Sequence, residues 1–538
     1  MTGWVVRQFR GPAPRIAPRL RADNQAQSCV NTVYKHGTLV PLKANTAVMT
    51  LPKSGTIQTI HRFGQSVAAD NQYWFHWASD VDVARGFIAG DTQERTYWTG
   101  DGIPKVTDNS IALTGGTSYP MASYTLGVPY PSTAPIATVG GTPESATALE
   151  EDRIYLVTFV SGWSEESAPS DASNTVTLQV GQTVSLALPS TPTGAYNIIS
   201  KRIYRAVAGT SSTSYLYVGE VSAATSVYVD SVVADDLGEE LSSLDYEMPP
   251  AGLSGLTAGP NGVMAGFVGK DVYFCEPFKP HAWPSKYILS VDADVVGLAL
   301  FDTTWLVLTK ERPHLISGTH PENYAMVRSE LQQACVAKRS IVGVDGGVVY
   351  ASPDGLFLVG GGIAKNLTEN IFTREEWQAY APTGLSGYLV DNIYVGFNST
   401  QSNGLMLDLT TMEFTPLNWY ASAGYYDPIR DQLFLVVSNN QLVKFNTGSN
   451  LTQTWKSKQY YVPKPVCLAA GRVEAAGYPI TFKAWADGSL KHTQTVTSDK
   501  LFRLPAGFKA KVWEFEVSGA YEIYSAGFSE AVGELQVG

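Results

Sequence analysis

The chain has 538 residues, with 38 Lys and Arg against 49 Asp and Glu, so its formal net charge is −11. The acidic balance argues against a typical duplex-DNA binder, which is basic, and no apolar run approaches the roughly 18–20 residues that span a bilayer. Charged residues make up only 16% of the chain, and Gly, Thr, Ser and aromatic residues take their place, which is typical of an all-β protein.

Residues 1–50 begin with a segment rich in Pro and Arg, which has too much Pro for a helix or a central strand. Two short runs follow, VNTVY and TLVPL, and they predict a hairpin around His36 and Gly37. Residues 51–140 then hold strand-like pieces such as Tyr73–Ala78 and Arg95–Gly100. The basic start of the chain has no apolar stretch, so we do not expect a secretory signal.

A change in composition near residue 140 marks a self-contained segment, which we place at 141–250. Its strand-like runs are separated by turn residues at the spacing of an immunoglobulin-like or fibronectin-like β-sandwich. The segment ends in a linker rich in Pro and Gly, Tyr246–Gly252.

Residues 251–455 alternate strand-like runs with turns that contain Asp-Gly, Gly-Gly or Asn-Gly. Four such strands add up to the roughly 40–50 residues of a β-propeller blade. Since 51–140 has the same pattern, we predict one β-propeller core that is interrupted by the sandwich. We expect five tryptophans to lie in the cores of its blades: Trp74, Trp77, Trp98, Trp283 and Trp305.

Only one stretch predicts a helix, Thr373–Tyr380, in which Thr373 is the N-cap. Residues 456–538 predict a last antiparallel β module. Its clearest strand places Trp513, Phe515 and Val517 on one face, and the intervening glutamates, Glu514 and Glu516, on the other.

The four cysteines, Cys29, Cys275, Cys335 and Cys467, are spread along the chain without the CxxC spacing of zinc or thioredoxin sites. We expect reduced and mostly buried thiols in a protein made in the cytoplasm.

The sequence shows no recognisable arrangement of catalytic or metal-binding residues. It has no G-x-S-x-G elbow, and His314 and His320 lack the spacing of a helix-borne ligand pair, so we interpret them as surface or turn histidines. The pair Asp80 and Asp82 offers too few carboxylates to predict a calcium site, and we interpret it as solvated turn residues. We therefore predict no catalytic, cofactor-binding or metal-binding residues, and we expect that the protein is not an enzyme.

The N-terminal segment carries the one basic cluster of the chain, Arg7, Arg10, Arg15, Arg19 and Arg21. One interpretation is a flexible solvated tail. The other is an arm that becomes ordered on an acidic partner surface, in the extended form that Pro favours.

Several stretches together carry a resemblance to a known family. They are the opening PRIAPRLRADNQAQSCVNTVYKHGTLVPLKA, the stretch Asn261–Tyr287, the run from WLVLTKERPHLISG to VVYASPDGLFLV, and the step TWKSKQYYVPKP at Thr454–Pro465. They resemble the tail nozzle proteins of short-tailed bacteriophages, also called tail tubular or head-closure stabilisation proteins. The resemblance covers 1–50 and 250–470, and 140–250 corresponds to an accessory sandwich that varies among such proteins.

The resemblance implies a structural virion protein that is assembled in the host cytoplasm. Nozzle proteins form a hexameric ring below the portal adaptor, and the ring extends the DNA channel, retains packaged DNA and guides its ejection. The implied partners are further copies of the chain, portal adaptor (head-to-tail connector) proteins and tail fibre or needle proteins. Double-stranded DNA passes without sequence-specific binding, since an acidic or neutral lining repels phosphates.

Two groups of residues are candidates for assembly contacts. Arg15, Pro18, Arg19 and Arg21 are candidates for docking the arm onto the adaptor or a neighbouring subunit. A second group marks the step into the last module, where charge and an aromatic ring fix a junction: Trp455, Lys456 and Lys458. The alternative interpretation of this second group is ordinary hinge packing.

Two other functions remain open. One is a receptor-binding or fibre-attachment tail protein whose sandwich and propeller recognise host surface glycans. The other is a propeller enzyme that acts on polysaccharide, which needs an aromatic-lined pocket with paired carboxylates. Propellers and sandwiches host many functions, so the fold class alone does not decide between them.

Overall fold

The computed structural model describes residues 3–64, 69–88, 90–145, 147–208 and 213–535. The all-β class is confirmed, since almost all regular structure in these residues is antiparallel strand. Two short α-helices are present in them, Asn109–Ala112 and Arg374–Ala379. The second confirms the predicted helix, because Thr373 caps it and Glu376 reaches back to the Thr373 N–H.

Seven antiparallel sheets follow one another through the described part of residues 46–444. Sheet 1 has two strands and the others have four. Their strands are, for sheet 1, Thr59–Arg62 and Trp74–Trp77; for sheet 2, Asp82–Arg85, Thr96–Thr99, Lys105–Thr107 and Tyr124–Thr125; for sheet 3, Ser254–Ala258, Met264–Val268, Asp271–Phe274 and Leu289–Ser290; and for sheet 4, Val295–Phe301, Thr304–Thr309, His314–Ser317 and Ala325–Arg328. The remaining strands are, for sheet 5, Val342–Val344, Gly347–Ser352, Gly355–Gly360 and Ile363–Asn366; for sheet 6, Leu385–Val390, Ile393–Asn398, Asn403–Asp408 and Phe414–Leu417; and for sheet 7, Ala423–Asp427, Gln432–Val437, Gln441–Lys444 and Thr46–Thr50.

The sheets follow one another around a central cavity in the order of propeller blades, and we call this body the propeller. The first strands of sheets 3 to 7 contact one another in chain order, sheet 7 contacts sheet 1, and sheet 2 contacts sheet 3. A cavity of about 270 Å³ is lined by residues in or beside the first strand of all seven sheets. The first strands of sheets 6 and 7 approach closely here. A Cβ on Gly424 would lie 2.6 Å from the ring of Tyr388, so glycine is required at this position.

Aromatic side chains fill the spaces between neighbouring sheets. The rings of Trp77 and Trp98 lie 5.6 Å apart and join sheet 1 to sheet 2, while Trp305 contacts Phe274 of sheet 3 at 5.7 Å. All five predicted tryptophans are buried, which confirms their assignment to the core. Three of the four cysteines are buried and all four are free thiols, as expected.

Sheet 7 joins the two ends of the propeller. Its fourth strand, Thr46–Thr50, precedes sheet 1 in the chain and pairs antiparallel with Gln441–Lys444. The start and the end of the propeller are therefore held in one sheet by backbone hydrogen bonds.

The segment between sheets 2 and 3 forms a separate β-sandwich, which we call the inserted sandwich. It has two three-stranded sheets and one two-stranded sheet. Their strands are Ile136–Gly140, Thr183–Ala187 and Val227–Asp230; Tyr155–Ser161, Ile198–Ala208 and Thr213–Ser222; and Glu150–Arg153 and Val176–Gln179.

The two ends of the chain build one further sandwich together, which we call the terminal sandwich. It consists of two six-stranded sheets that combine strands from residues 3–41 and 453–529. The first contains Gly3–Val6, Thr32–Lys35, Thr38–Pro41, Ala470–Ala475, Phe502–Arg503 and Ile523–Ser529, and the second contains Ser28–Val30, Gln453–Lys456, Tyr460–Val466, Ile480–Ala486, Ser489–Val496 and Ala510–Gly519. The sequence predicted residues 1–50 and 456–538 as separate modules, whereas they share one hydrophobic core.

The predicted hairpin of the N-terminal region is one element of this sandwich. Thr32–Lys35 pairs with Thr38–Pro41, and the two turn residues, His36 and Gly37, have φ values of 52° and 86°. Positive φ at both positions is what a tight two-residue hairpin turn requires. Within the described ranges, no helix has the length and apolar character to cross a membrane.

Candidate functional site

The Pro/Arg-rich arm is ordered on its own chain, between the terminal sandwich and the propeller. The Arg15 N–H donates to the carbonyl of Ile371 at 2.9 Å, and its guanidinium donates to the carbonyl of Glu369 at 2.6 Å. Pro18 accepts a hydrogen bond from the N–H of Gln459 at 3.3 Å. The interpretation as a flexible solvated tail is therefore wrong for this part of the chain.

Arg21 folds the arm onto itself. Its side chain is buried and donates to three carbonyls, those of Ile16, Ala26 and Gln27, at 2.7–2.9 Å. Burial lowers the pKa of its guanidinium, although the charge of Glu376 opposes this change. Because its donors are used inside the chain, Arg21 does not present a docking surface.

Arg19 and Leu20 face solvent on a turn of the arm. They lie on the 3₁₀ turn Pro18–Leu20, and 70% of Leu20 is exposed. An exposed leucine beside an arginine on a fixed turn is suited to contact with another protein. Of the four predicted arm residues, Arg15 and Arg19 are exposed, and Arg15 is held by the two hydrogen bonds described above.

Trp455 and Lys458 fix the arm to the terminal sandwich. Trp455 is fully buried, and its indole N–H donates to the carbonyl of Arg10 at 3.1 Å. Lys458 forms an ion pair with Asp23 at 3.1 Å. These contacts agree with the alternative interpretation of this group, which was ordinary hinge packing within the chain.

Lys456 has a buried partner. Its Nζ lies 2.5 Å from Oε2 of Glu514 and 4.2 Å from the ring centre of Trp485. Glu514 is on the face opposite Trp513, as predicted, but this face is covered, and only 3% of Glu514 is exposed. The side-chain amides of Gln27 and Gln459 also donate to this carboxylate.

Asp80 and Asp82 line the central cavity. Asp82 begins a strand of sheet 2, so its interpretation as a solvated turn residue is wrong, whereas Asp80 precedes the strand and keeps 40% of its side chain exposed. Nζ of Lys338 lies 2.8 Å from both oxygens of Asp82 and 3.1 Å from Asp80. The guanidinium of Arg339 lies 2.8 Å from Asp80. Both cations belong to the 3₁₀ turn Lys338–Ser340, which directly precedes sheet 5.

The two carboxylates differ in their electrostatics. Burial by itself would raise the pKa of Asp80, but Arg339 and Lys338 outweigh it and hold this pKa below its usual value. Burial raises the pKa of Asp82, and Lys338 offsets only part of that effect. The N–H of Gly255 also donates to Asp82 at 3.0 Å, which connects sheet 2 to sheet 3.

The cavity contents form an internal clasp. The clasp consists of Asp80, Asp82, Lys338 and Arg339, whose two positive and two negative charges neutralise one another. A second cavity of about 440 Å³ shares Asp80, Lys338 and Arg339 with the first and is lined mainly by polar residues. Across the described chain, no group of three or more His, Cys, Asp and Glu side chains is placed to hold a metal ion. The sequence showed the D-x-D pair, but it did not show that Lys338 and Arg339 are its partners. Lys338 lies 256 positions after Asp82, and no local pattern relates the two.

His314 also differs from its prediction. It is buried on a strand of sheet 4, with Nε2 3.1 Å from Asp292. His320 accepts a hydrogen bond from the N–H of Glu322 and caps a turn.

The comparisons with known proteins add no functional assignment. No family model and no curated protein matches the chain. Among solved structures, it is similar to Sqt1 of Saccharomyces cerevisiae, with 11% identity, a TM-score of 0.28, and coverage of 53% of this chain and 76% of Sqt1. It is also similar to AztD from Citrobacter koseri, with 12% identity, a TM-score of 0.28, and coverage of 69% and 99%. Similarities at these scores carry no argument about fold or function.

Proposed function

We propose that the protein is a structural component of a short-tailed bacteriophage virion, a protomer of the tail nozzle ring below the portal adaptor. The ring extends the DNA channel, retains packaged DNA and guides its ejection, without enzymatic activity. The first support is the resemblance of residues 1–50 and 250–470 to nozzle proteins. The proposed assembly is a homo-hexamer that forms in the host cytoplasm and contacts adaptor and fibre or needle proteins.

The observation that carries this proposal is the clasp in the central cavity. A ligand pocket needs polar groups that are free to meet a ligand. Here Asp80 and Asp82 are committed to Arg339 and Lys338, at distances of 2.8–3.1 Å. The centre of the propeller thus holds its own sheets together. This arrangement favours a protein that acts through its outer surfaces over a polysaccharide enzyme or a glycan receptor with a central site.

The arm adds a surface for such contacts. Arg15, Pro18 and Arg21 hold it in place through the contacts described above, and Arg19 and Leu20 project from its turn. In the proposed assembly, these two residues contact the adaptor or the neighbouring protomer.

The test is the mass of the full-length protein by light scattering, alone and mixed with a candidate adaptor ring. We expect a hexamer, or a hexamer that forms only on the adaptor. A persistent monomer, or a trimer that ignores the adaptor, would contradict the proposal. Binding to surface glycans would then be the next function to test.

The double variant Arg19→Glu, Leu20→Asp examines the arm. We expect its affinity for the adaptor-bound assembly to fall at least tenfold, with no change in melting temperature, because both side chains are exposed. The matched control is Ile363→Asp, another exposed apolar residue, 55% exposed on sheet 5. An equal loss of affinity in the two variants would show that the arm is not part of the interface.

A further inference from the structure

The net charge of the chain is distributed very unevenly among its three bodies. The inserted sandwich, residues 136–246, has 14 Asp and Glu against 4 Lys and Arg, a net charge of −10. The terminal sandwich, residues 1–45 and 453–538, has 17 Lys and Arg against 9 Asp and Glu, a net charge of +8. Two sandwiches of similar fold class therefore carry opposite charge.

The two sandwiches are attached on opposite sides of the propeller. The inserted sandwich joins at sheets 2 and 3, where Glu165 lies 3.2 Å from Arg95 and Trp163 donates to Asp108 at 3.1 Å. The terminal sandwich joins at sheets 6 and 7. Thr415 of sheet 6 donates to the carbonyl of Thr32 at 2.9 Å, and the chain enters and leaves sheet 7 from this sandwich. Sheets 4 and 5 lie between the two attachments on one side and sheet 1 on the other.

Seven exposed carboxylates of the inserted sandwich lie at its outer end. Strand Tyr155–Ser161 has its Ser161 end at the propeller, next to Glu165, and Tyr155 about 20 Å away. At the Tyr155 end, the hydroxyl of Tyr155 donates to Asp230 at 2.7 Å. The chain segments beside these two residues carry the exposed acids Glu150, Glu151, Asp152, Asp235, Asp236, Glu239 and Glu240.

Four exposed lysines of the terminal sandwich lie together at an end away from the propeller. Strand Ala510–Gly519 has its Gly519 end opposite Gln453, where the chain arrives from sheet 7, and its Ala510 end about 30 Å away. Around the Ala510 end lie the exposed lysines Lys464, Lys491, Lys509 and Lys511, together with Tyr461, which is 61% exposed. An aromatic ring among lysines is a favourable centre for a contact with an acidic protein surface.

We propose that these two outer ends dock onto each other between copies of the chain, head to tail. The acidic outer end of the inserted sandwich of one copy contacts the basic end of the terminal sandwich of the next. This inference rests on the proposed ring and identifies its interface. Two copies with a charge of −11 each repel one another unless unlike ends meet, and each copy offers one end of each sign. Contacts between unlike surfaces are heterologous, and rings are built from such contacts.

Two charge-reversal variants of the full chain test the docking. The first reverses the acidic end, with Glu150→Lys, Asp235→Lys, Asp236→Lys and Glu239→Lys. The second reverses the basic end, with Lys464→Glu, Lys491→Glu, Lys509→Glu and Lys511→Glu. The control reverses four exposed acids between the two attachments, with Glu311→Lys, Glu322→Lys, Glu330→Lys and Asp345→Lys. Sedimentation velocity reports association, and circular dichroism reports that each variant is folded.

Each reversed variant has two ends of the same sign, so we expect its self-association constant to fall at least tenfold, while the control associates as the wild type does. An equimolar mixture of the two variants presents unlike ends again and recovers association. Raising the salt concentration from 0.05 to 0.5 M weakens association of the wild type, because the contact is electrostatic.

The outcomes separate the docking from the proposed function. If the wild type assembles and the reversed variants assemble equally well, or if the mixture recovers nothing, the docking inference is wrong and the nozzle proposal stands. If the wild type forms no oligomer, with or without the adaptor, the nozzle proposal itself is wrong.

Discussion

The carboxylate of Asp82 lies 2.8 Å from Nζ of Lys338, although the two residues are 256 positions apart in the chain. Asp82 begins the first strand of sheet 2, and Lys338 lies in the turn before sheet 5, so the pair spans the central cavity. It connects the part of the propeller before the inserted sandwich to the part after it. The insertion is long, and this ion pair is one of the contacts that compensate for the interruption.

Removing the cation should therefore weaken the propeller. We expect Lys338→Met to lower the free energy of unfolding by about 2 kcal/mol, because hydrogen bonds to charged groups contribute about 1.5–3 kcal/mol. The measurement is urea denaturation at neutral pH. Lys310→Met is the matched control, since Lys310 also pairs with a carboxylate at 2.9 Å, but both side chains are largely exposed. Exposed pairs contribute little to stability, so equal losses in the two variants would contradict the clasp.

Glu165 makes the junction of the inserted sandwich sensitive to pH. Its carboxylate lies 3.2 Å from Arg95 and 3.8 Å from His281, and burial, opposed in part by Arg95 and Ser161, raises its pKa to about 7. The folded protein then keeps this proton up to about pH 7, whereas the unfolded chain releases it near pH 4.5. The stabilisation by this group is complete below pH 4.5 and is lost as the pH rises through 7.

Glu165→Gln removes this titration. We expect the difference in unfolding free energy, wild type minus variant, to fall by about 3 kcal/mol between pH 4.5 and 7.5. Urea denaturation across this range measures it, and Glu239→Gln, at an exposed position, is the control. A flat difference for Glu165→Gln would show that the junction does not hold the proton.

His61 should give stability the opposite pH dependence to that of Glu165. It is buried in sheet 1, and burial, followed by the charge of Arg85, lowers its pKa to about 3. The unfolded chain binds this proton near pH 6.5, so the stabilisation is present above 6.5 and is lost as the pH falls toward 3.

His61→Phe keeps an aromatic ring against Tyr425, 5.2 Å away, and cannot bind a proton. We expect the variant to gain about 1.4 kcal/mol over the wild type for each pH unit below 6.5. Thermal melts between pH 4 and 7 measure the gain. The control is His36→Asn, at an exposed turn with positive φ that Asn tolerates. Parallel pH profiles for His61→Phe and the wild type would exclude this titration.

The features that the sequence predicted are those that local residues decide. Thr373 and Glu376 form their capping box within one turn, and His36-Gly37 sets its hairpin with two residues. The positions of partners across the chain were not predictable in this way. Nothing next to Trp455 indicates that its strand pairs with Ser28–Val30, because strand pairing depends on tertiary contacts rather than on local pattern.

The same reason explains the errors at charged residues. Alternation placed Glu514 on the face opposite Trp513, but Gln27 and Lys456, which are distant in the sequence, cover that face. The charge asymmetry of the two sandwiches was also missed, although it is present in the composition. Its positive half is divided between residues 1–45 and 453–538, and the sheet pairing supplies the grouping that joins them.

Asp230 holds the core of the inserted sandwich, and its removal should have the largest effect on stability. The side chain is fully buried and accepts hydrogen bonds from Tyr155 at 2.7 Å, Arg205 at 2.9 Å and Arg153 at 3.3 Å. In Asp230→Ala, the guanidinium of Arg205, with a side chain only 1% exposed, is left as a buried charge without its carboxylate. Breaking a buried pair in this way costs about 3–5 kcal/mol.

Hydrogen exchange measured by mass spectrometry checks this cost, because peptides of the inserted sandwich and of the propeller are read separately. We expect faster exchange in strands Tyr155–Ser161 and Ile198–Ala208 of Asp230→Ala, with the propeller unchanged. Asp235→Ala, which removes an exposed acid five residues away, is the control and should exchange as the wild type does. Since the proposed head-to-tail contact needs a folded sandwich, Asp230→Ala should also lose self-association while Asp235→Ala largely keeps it. Loss of protection in the propeller as well would mean that the two bodies unfold as one cooperative unit.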